Sequence, residues 1–336
     1  MTSLTSGADF EAAVERHRRE IHVHSYRMLG SFTEAEDAVQ ETFLRAWQGR
    51  ASFDGSSAFR AWLYRIATNV CLDAIRRSNR RPRSRSLESI GDVPWLEPYP
   101  DRLLDELSPP EADPHAVAAA RETIELAFLA AVQLLPPRQR AVLLMRDVLE
   151  FSAGETAAHL DMTSAAVNSA LQRARATLRA HRPHGRQGPP PQAPTPAEME
   201  LVRRFIDAHE RADVEAAAEM LREDARVAMP PHPFWFHGRE AILESLVAGL
   251  KDPGEWRLVP ARANRMPAAA SYLRTRGDSP FRAFKLDVIR FEDGLVAEIT
   301  TFDAALFSAF GLSPVLAEGG ETGIGPAGTA GGPGSA

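Results

Sequence analysis

Apolar residues recur at helical spacing through the first half of the chain and alternate at strand spacing through much of its last third. Asp9 to about Leu29 predicts a helix with Phe10, Ala13, Val14, Ile21 and Tyr26 as its apolar positions, ended by Gly30 and Ser31. Thr33-Glu34-Ala35-Glu36 reads as a capping box that starts the next helix. Its core face is Ala35, Ala38, Val39, Thr42, Phe43 and Ala46, which leaves Asp37, Gln40, Glu41, Leu44, Arg45 and Gln48 outside. After a loop from Phe53 to Ser57, a third helix runs from Phe59 to Ile75. One face holds Phe59, Trp62, Leu63, Ile66, Ala67, Val70 and Ala74; the opposite stripe is Arg65, Asn69, Asp73 and Arg76. Phe59 and Trp62 therefore belong to the core, and Tyr64, off the apolar face, is the better aromatic candidate for an exposed contact.

Further on, His115 to Leu135 and Arg138 to Leu149 predict helices separated by Pro136-Pro137. Ser152-Ala153-Gly154-Glu155 is a second capping box, opening a short helix to Leu160. Asp161-Met162-Thr163 makes a tight turn before a helix from Ser164 to about Ala180. Val167, Leu171, Ala174 and Leu178 form its core face; Ser164, Asn168, Gln172, Arg175 and Arg179 are free, flanked by Ser169 and Arg173. A short helix, a three-residue turn and a second helix free of acids make a helix-turn-helix. Thr195-Pro196-Ala197-Glu198 then caps a helix to about Arg211, followed by a second from Asp213 to Leu221. A strand near 226–229, a helix at 239–250 and strands at 256–263, 269–275, 281–291 and 295–302 complete an α+β domain, with Glu292-Asp293-Gly294 as a hairpin turn.

Charge sharpens this picture. The net charge of -6 conceals a basic run, since Arg60 to Arg85 holds eight arginines against the single acid Asp73. That is the electrostatic footprint of a nucleic-acid surface. Between Gly91 and Pro114 seven acids face only Arg102, and six prolines interrupt the stretch, which predicts an extended acidic linker. Pro183 to Pro196 is a proline-rich linker, and Gly319 to Ala336 is glycine-rich and predicted to be disordered. The expected organisation is a helical domain at 8–88, an acidic linker at 89–114, a helix-turn-helix domain at 115–182, a linker at 183–196, an α+β domain at 197–316 and a tail at 317–336. Cys71 is the only cysteine, which excludes an internal disulfide and a zinc cluster and suits a reducing cytoplasm. Neither a long apolar run nor a signal-peptide core is visible, so no membrane association is expected.

Three stretches together resemble the sigma-70 family of bacterial RNA polymerase sigma factors. SFTEAEDAVQETFLRAW at 31–47 is similar to the core-binding signature, and FRAWLYRIATN at 59–69 to the promoter-melting segment. LPPRQR at 135–140 with the helix-turn-helix is similar to the family's fourth region. Having only regions two and four resembles the extracytoplasmic-function group. The remainder, from about Ala197 to Leu316, resembles a SnoaL-like domain through its helix pair, HGREAI at 237–242 and TTFD at 300–303. The fold implied is multidomain: two all-α helical domains, then an α+β cone.

The resemblance implies that Asp37, Gln40, Glu41 and Arg45 contact the β′ clamp helices of core RNA polymerase, with the fourth region on the β flap. It implies minus-ten contacts from Arg65, Asn69, Asp73, Arg76, Arg77 and Arg80, and a base-holding pocket in the loop Phe53 to Ser57. Minus-thirty-five contacts would come from Ser164, Asn168, Ser169, Gln172, Arg173, Arg175 and Arg179. It also implies that the acidic linker threads toward the polymerase's RNA channel; a solvated spacer is the alternative. In the SnoaL-like domain His232, Trp235, Asp287 and Asp303, with His237 nearby, are the candidates for a pocket. A regulatory role in cis, with or without a small ligand, is expected there rather than catalysis, and no cofactor or metal is implied. Two alternatives stay open: an ordinary helix-turn-helix regulator with a ligand-binding domain, and a SnoaL-like enzyme with a DNA-binding appendage.

Overall fold

The computed structural model describes residues 7–53, 59–78, 82, 90–105, 124–181, 194–250, 254–278 and 280–316. The first bundle comprises α1 (Gly7–Glu15), α2 (Arg18–Leu29), α3 (Phe32–Gly49) and α4 (Phe59–Ser78). The single helix expected from Asp9 to Leu29 is two, broken at Arg16-His17. α2 is the axis of the bundle: every residue from Ile21 to Leu29 is buried, including His22, His24 and Arg27. Gly30 ends it with φ 74°, a left-handed conformation that suits glycine. A Cβ there would also approach Gln133 to 3.0 Å.

The cap of α3 lies two residues earlier than expected. Ser31 is extended and its Oγ accepts from Glu34 N at 3.2 Å. The other reaching carboxylate is not Glu36 but Glu97, from the linker, which accepts from Thr33 N and from Ser31 Oγ, both at 2.8 Å. A local sequence motif could not reveal a cap supplied from 64 residues away.

The linker expectation fails for 90–105. A 3-10 turn (Ile90–Asp92) and the short α5 (Asp101–Asp105) pack Ile90, Val93, Leu96, Tyr99, Leu103 and Leu104 into a core. Proline prevents regular hydrogen-bonded structure, not burial, and the apolar positions between the prolines and acids fill a groove. Residues 106–123 lie outside the described residues, as do most of the proline-rich linker and the tail from 317.

The second helical unit is α6 (Leu126–Gln133), α7 (Pro137–Leu143), which continues into a π turn (Leu144–Val148), α8 (Ala153–Leu160) and α9 (Ser164–Ala180). Both hydrogen bonds of the Ser152–Glu155 capping box are present, and Asp161 at φ 53° makes the tight turn. This unit shares one hydrophobic core with the first: Leu63, Ala67, Val70 and Cys71 of α4 join Val142, Leu143, Leu160, Val167 and Leu171. Burial pushes the Cys71 thiol up to about 12.

The α+β domain begins with α10 (Pro196–Glu210), capped by Thr195 and Glu198, and α11 (Val214–Met220). Its strands are β1 (Leu221–Ala228), β2 (Trp235–His237), β3 (Gly254–Ala263), β4 (Met266–Thr275), β5 (Phe281–Glu292), β6 (Leu295–Asp303) and β7 (Val315–Leu316), with α12 (Arg239–Leu250) after β2. The sheet runs β2-β1-β6-β5-β4-β3; β1 and β6 are parallel, the other pairs antiparallel, and β7 adds to the start of β5. One face, with Leu258, Ala269, Ile289 and Ile299, is covered by α10 to α12. The other, with Val259, Ala270, Leu286, Val288 and Phe302, shares a core with Val23, Tyr26 and Phe32 of the first bundle and with the linker. Both faces are in fact covered, the second by another domain.

Candidate nucleic-acid interface

Ridge spacing on α3 leaves Asp37, Gln40 and Leu44 exposed on the side away from the linker; Leu44 is 51% exposed. Polar residues surround this single exposed apolar side chain. Glu41 and Arg45 are half-buried beside it. Arg45 donates to Glu41 at 2.6 Å and to Asp73 at 3.0 Å, and Asp73 accepts from Arg76 at 3.0 Å. These bonds, Asp73 first, raise the Arg45 pKa and hold it charged. The ion-pair chain joins the exposed face of α3 to the basic stripe of α4.

On α4, Arg65, Asn69, Arg76 and Arg77 are exposed, while Asp73 is engaged by its two arginines and positions them. Arg80 and residues 54–57 lie outside the described residues. Phe59 and Trp62 are half-buried in an aromatic cluster with Phe10 and Phe53, as core residues. Tyr64 does not take the exposed place expected of it. It is 2% exposed, its hydroxyl donates to Glu20 at 3.0 Å, and it packs edge-on to His24 and Phe151. α2 and the second helical unit cover that side, which the helical pattern of α4 alone does not record.

On α9, Thr163 caps the N-terminus through Ala166 N at 3.2 Å. Ser164, Asn168, Ser169, Gln172, Arg173 and Arg179 are exposed on one continuous surface. Arg175 is exposed but held by Asp147 through two bonds of 2.9 and 2.6 Å, so its guanidinium is partly neutralised in place. Helix, left-handed turn and open polar helix face have the geometry to enter a major groove.

The C-terminal candidates are not brought together. His232, Trp235 and His237 are exposed on the β1–β2 connection and β2, at one edge of the sheet, and Asp303 caps the turn after β6 by accepting from Ala305 N at 2.8 Å. Asp287 alone is buried, in the middle of β5. Its companions are residues the sequence reading passed over: Lys285, Thr301, Ser271 and His209. Lys285-x-Asp287 has the same-face spacing of a strand, a signal that was there to use.

One residue ties the three parts together. Asn264 and Arg265 form the β3–β4 turn, both at positive φ (55° and 60°). Asn264 is fully buried; its Nδ2 donates to Tyr26 Oη at 2.8 Å and to Ile124 O at 2.7 Å, and its Oδ1 accepts from Tyr99 N at 2.8 Å. Tyr26 Oη in turn donates to Glu97 O at 2.7 Å. The left-handed backbone costs an arginine about 1–2 kcal/mol. Arg265 N donates to Asp101 at 2.8 Å and its guanidinium pairs with Asp105, which offset that cost. Burial holds the Asp101 carboxyl at about 6, against the pull of Arg265. A second tie joins the two helical units directly: Arg140, buried, donates to Met28 O at 2.5 Å, to Gln133 Oε1 and O, and to Leu135 O.

Family comparison agrees with this architecture. Residues 13–81 match Sigma-70 region 2, residues 125–178 match Sigma-70 region 4, and residues 202–299 match the SnoaL-like domain. The chain is 41% identical over 324 residues to the ECF RNA polymerase sigma factor SigG of Mycobacterium tuberculosis, covering 92% of this chain and 85% of that one. It is 32% identical over 170 residues to SigW of Bacillus subtilis, covering 51% of this chain and 87% of that one. The crystal structure of the extracytoplasmic function sigma factor SigJ of Mycobacterium tuberculosis superposes with a TM-score of 0.58 at 20% identity, over 90% of this chain and 99% of that one, which shows a shared fold. Among the described residues no helix is long and apolar enough to cross a membrane. Regions 2 and 4 in order, the SnoaL-like extension and an alignment with SigG along nearly its whole length place the chain in one family: it belongs to the ECF RNA polymerase sigma factors.

Proposed function

We propose that this sigma factor is held closed by its own SnoaL-like domain, offers the open face of α3 to core RNA polymerase, and must separate regions 2 and 4 to read a promoter. Membership in the family carries promoter-directed transcription initiation as a non-enzymatic role, and it retires the reading as an ordinary helix-turn-helix regulator. Asp37, Gln40, Leu44 and the Glu41–Arg45 pair are the polymerase-facing set, on the β′ clamp helices. Arg65, Asn69, Arg76 and Arg77 face the minus-ten element; Ser164, Asn168, Ser169, Gln172, Arg173 and Arg179 face the minus-thirty-five element. Arg175 joins them on release from Asp147.

The observation that carries this reading is the Asn264 joint, which binds region 2, the linker and the start of region 4 at one point. Distance makes the closed form unproductive. The minus-ten and minus-thirty-five elements lie about 25 base pairs apart, or roughly 85 Å at 3.4 Å per base pair. α4 and α9, even laid end to end, span about 55 Å at 1.5 Å per residue. Here their domains share one core. The linker acids Glu97, Asp101 and Asp105, expected to lie in a polymerase channel, are engaged within the chain while it is closed.

Run-off transcription at limiting core polymerase tests the proposal. Asn264→Ala is expected to raise promoter-specific transcript several-fold and to enlarge the particle in small-angle scattering. Removing everything after Gly188 is expected to change promoter output as well. Unaltered transcription and unaltered core affinity in both variants would falsify the closed-form reading.

A further inference from the structure

The linker divides at Tyr99. Up to that side chain it is bonded to region 2: Glu97 N donates to Gly30 O at 2.9 Å, the Glu97 carboxylate caps α3, and Tyr99 Oη is hydrogen-bonded to His22 Nδ1 at 2.9 Å. From the Tyr99 backbone onward it is bonded to the SnoaL-like domain. Asn264 N donates to Tyr99 O at 2.9 Å, Pro100 bridges to Ala263, Arg265 N donates to Asp101, and Arg102 Nε donates to Ala309 O at 2.8 Å. α5 is therefore a strap that region 2 extends across the β3–β4 turn of the C-terminal domain.

The two acids of the strap are held in opposite ways. Asp101 is 1% exposed. Its Oδ1 accepts from Arg265 N at 2.8 Å, but its buried Oδ2 has no hydrogen-bond partner among the described residues, and the Arg265 guanidinium stops 3.9 Å away. An ionised carboxylate in that place has lost its water and gained one backbone hydrogen bond, and a cation at that distance does not offset the loss. Burial, outweighing Arg265 and Arg262, accordingly raises the Asp101 carboxyl to about 6, so at pH 7 the strap closes around the charged, poorly satisfied form. Asp105, one helical turn on, is half exposed and keeps part of its hydration. It pairs with Arg262 at 3.2 Å and with the guanidinium of Arg265, which is buried. Without Asp105, that buried cation would be left with only the distant Oδ2 of Asp101.

We propose that α5 is an autoinhibitory strap of deliberately limited strength, in which Asp105 holds the C-terminal domain on region 2 and the buried Asp101 works against closure. A partner can shift a closed–open equilibrium only by its preference for the open form. Each tenfold of surplus closure would raise the core polymerase needed for opening tenfold, and Asp101 removes that surplus. The charged groups facing Asp101 are Arg262 and Arg265 of the turn and Asp105 of α5 itself. His22 meets the linker through Tyr99, on the region 2 side of the division, and keeps that cover when the domain leaves. Opening returns Asp101 to the ordinary range near 3.8, so the closed form binds its proton more tightly. The opposition to closure is full above about pH 6 and is relieved as pH falls through 6.

Run-off transcription at limiting core polymerase, with small-angle scattering and Tm of the full-length chain at pH 7.5, tests this with Asp101→Asn and Asp105→Asn. Asp101→Asn keeps an acceptor for Arg265 N and removes the charge; it is expected to lower transcript about threefold or more and to raise Tm. Asp105→Asn is expected to raise transcript and to enlarge the particle. At pH 6.0 the gap in transcript between the parent and Asp101→Asn should narrow about twofold, the histidines being common to both chains. Should Asp101→Asn not fold, Asp101→Ser carries the same expectation. Transcript unchanged or raised in the Asp101 variant, or both acids shifting output in the same direction, overturns the inference. It rests on the closed-form reading, and Asn264→Ala separates the two. If that variant raises transcript, a contrary result at Asp101 removes the opposing role alone; if it does nothing, both fall.

Discussion

Two buried polar clusters lie on opposite sides of one sheet, and their bonding differs. At the β3–β4 turn, Asn264 spends both amide hydrogens and its carbonyl oxygen on region 2, the linker and region 4. On the inner face, Ser271 Oγ, His209 Nε2 and Asp287 Oδ2 are all left without a hydrogen bond. A saturated buried polar group specifies one arrangement of its neighbours, as a joint does. A buried group with unused bonding capacity costs stability and fixes no neighbour in place. The saturated joint and the underbonded cluster are thus kept apart by the sheet.

Substitutions can break that contrast, and the largest effect falls on the joints. Arg140→Met removes four hydrogen bonds, to Met28 O, to Gln133 Oε1 and O, and to Leu135 O, and should lower unfolding free energy by about 3–5 kcal/mol in urea denaturation. Asn264→Ala strands Tyr99 N and Ile124 O and should cost about 2–3 kcal/mol by the same measurement. A loss under about 0.5 kcal/mol for either would mean that the residue is not a joint.

Acid comes next. His22 and His209 are lowered to about 4 and His24 to about 3, burial being the first cause in each. Folded, they stay neutral while the unfolded chain takes up protons below about 6.5, so their stabilisation is present above pH 6.5 and is lost as pH falls toward 4. Asp101, raised to about 6, acts the other way: its contribution is present below about 3.8 and is lost as pH rises through 6. Three groups outweigh one, so calorimetric Tm should fall between pH 6.5 and 5, by about 1–2 kcal/mol of stability per histidine. His209→Gln should flatten that slope. The smallest effect belongs to Ser271→Ala, expected within about 0.5 kcal/mol of the parent in the same denaturation; a loss of about 2 kcal/mol would make Ser271 a structural group and erase the contrast.

Much of this was legible residue by residue. The face of α3 bearing Asp37 and Gln40, the stripe Arg65–Asn69–Arg76 and the open side of α9 all follow from helical periodicity, and they are exposed as expected. The Ser152 and Thr195 capping boxes and the Asp293-Gly294 turn were readable because each is local. Tyr64 was misplaced because its cover comes from Phe151, outside its own helix. The acidic linker was misread because composition counts charges, whereas Glu97, Asp101 and Asp105 each meet a partner far along the chain.

Local pattern by itself determined the order of the domains, the helices and strands, and which helix faces would remain polar, because propensity, capping and periodicity act within a few residues. The tertiary structure alone decided that regions 2 and 4 share a core, that a cap for α3 arrives from Glu97, and that Asn264 locks three segments together. It also decided which acids are free and which are spent. Those outcomes depend on cross-chain contacts up to 238 residues apart, where each group's burial and pairing are set by partners that no window of sequence contains.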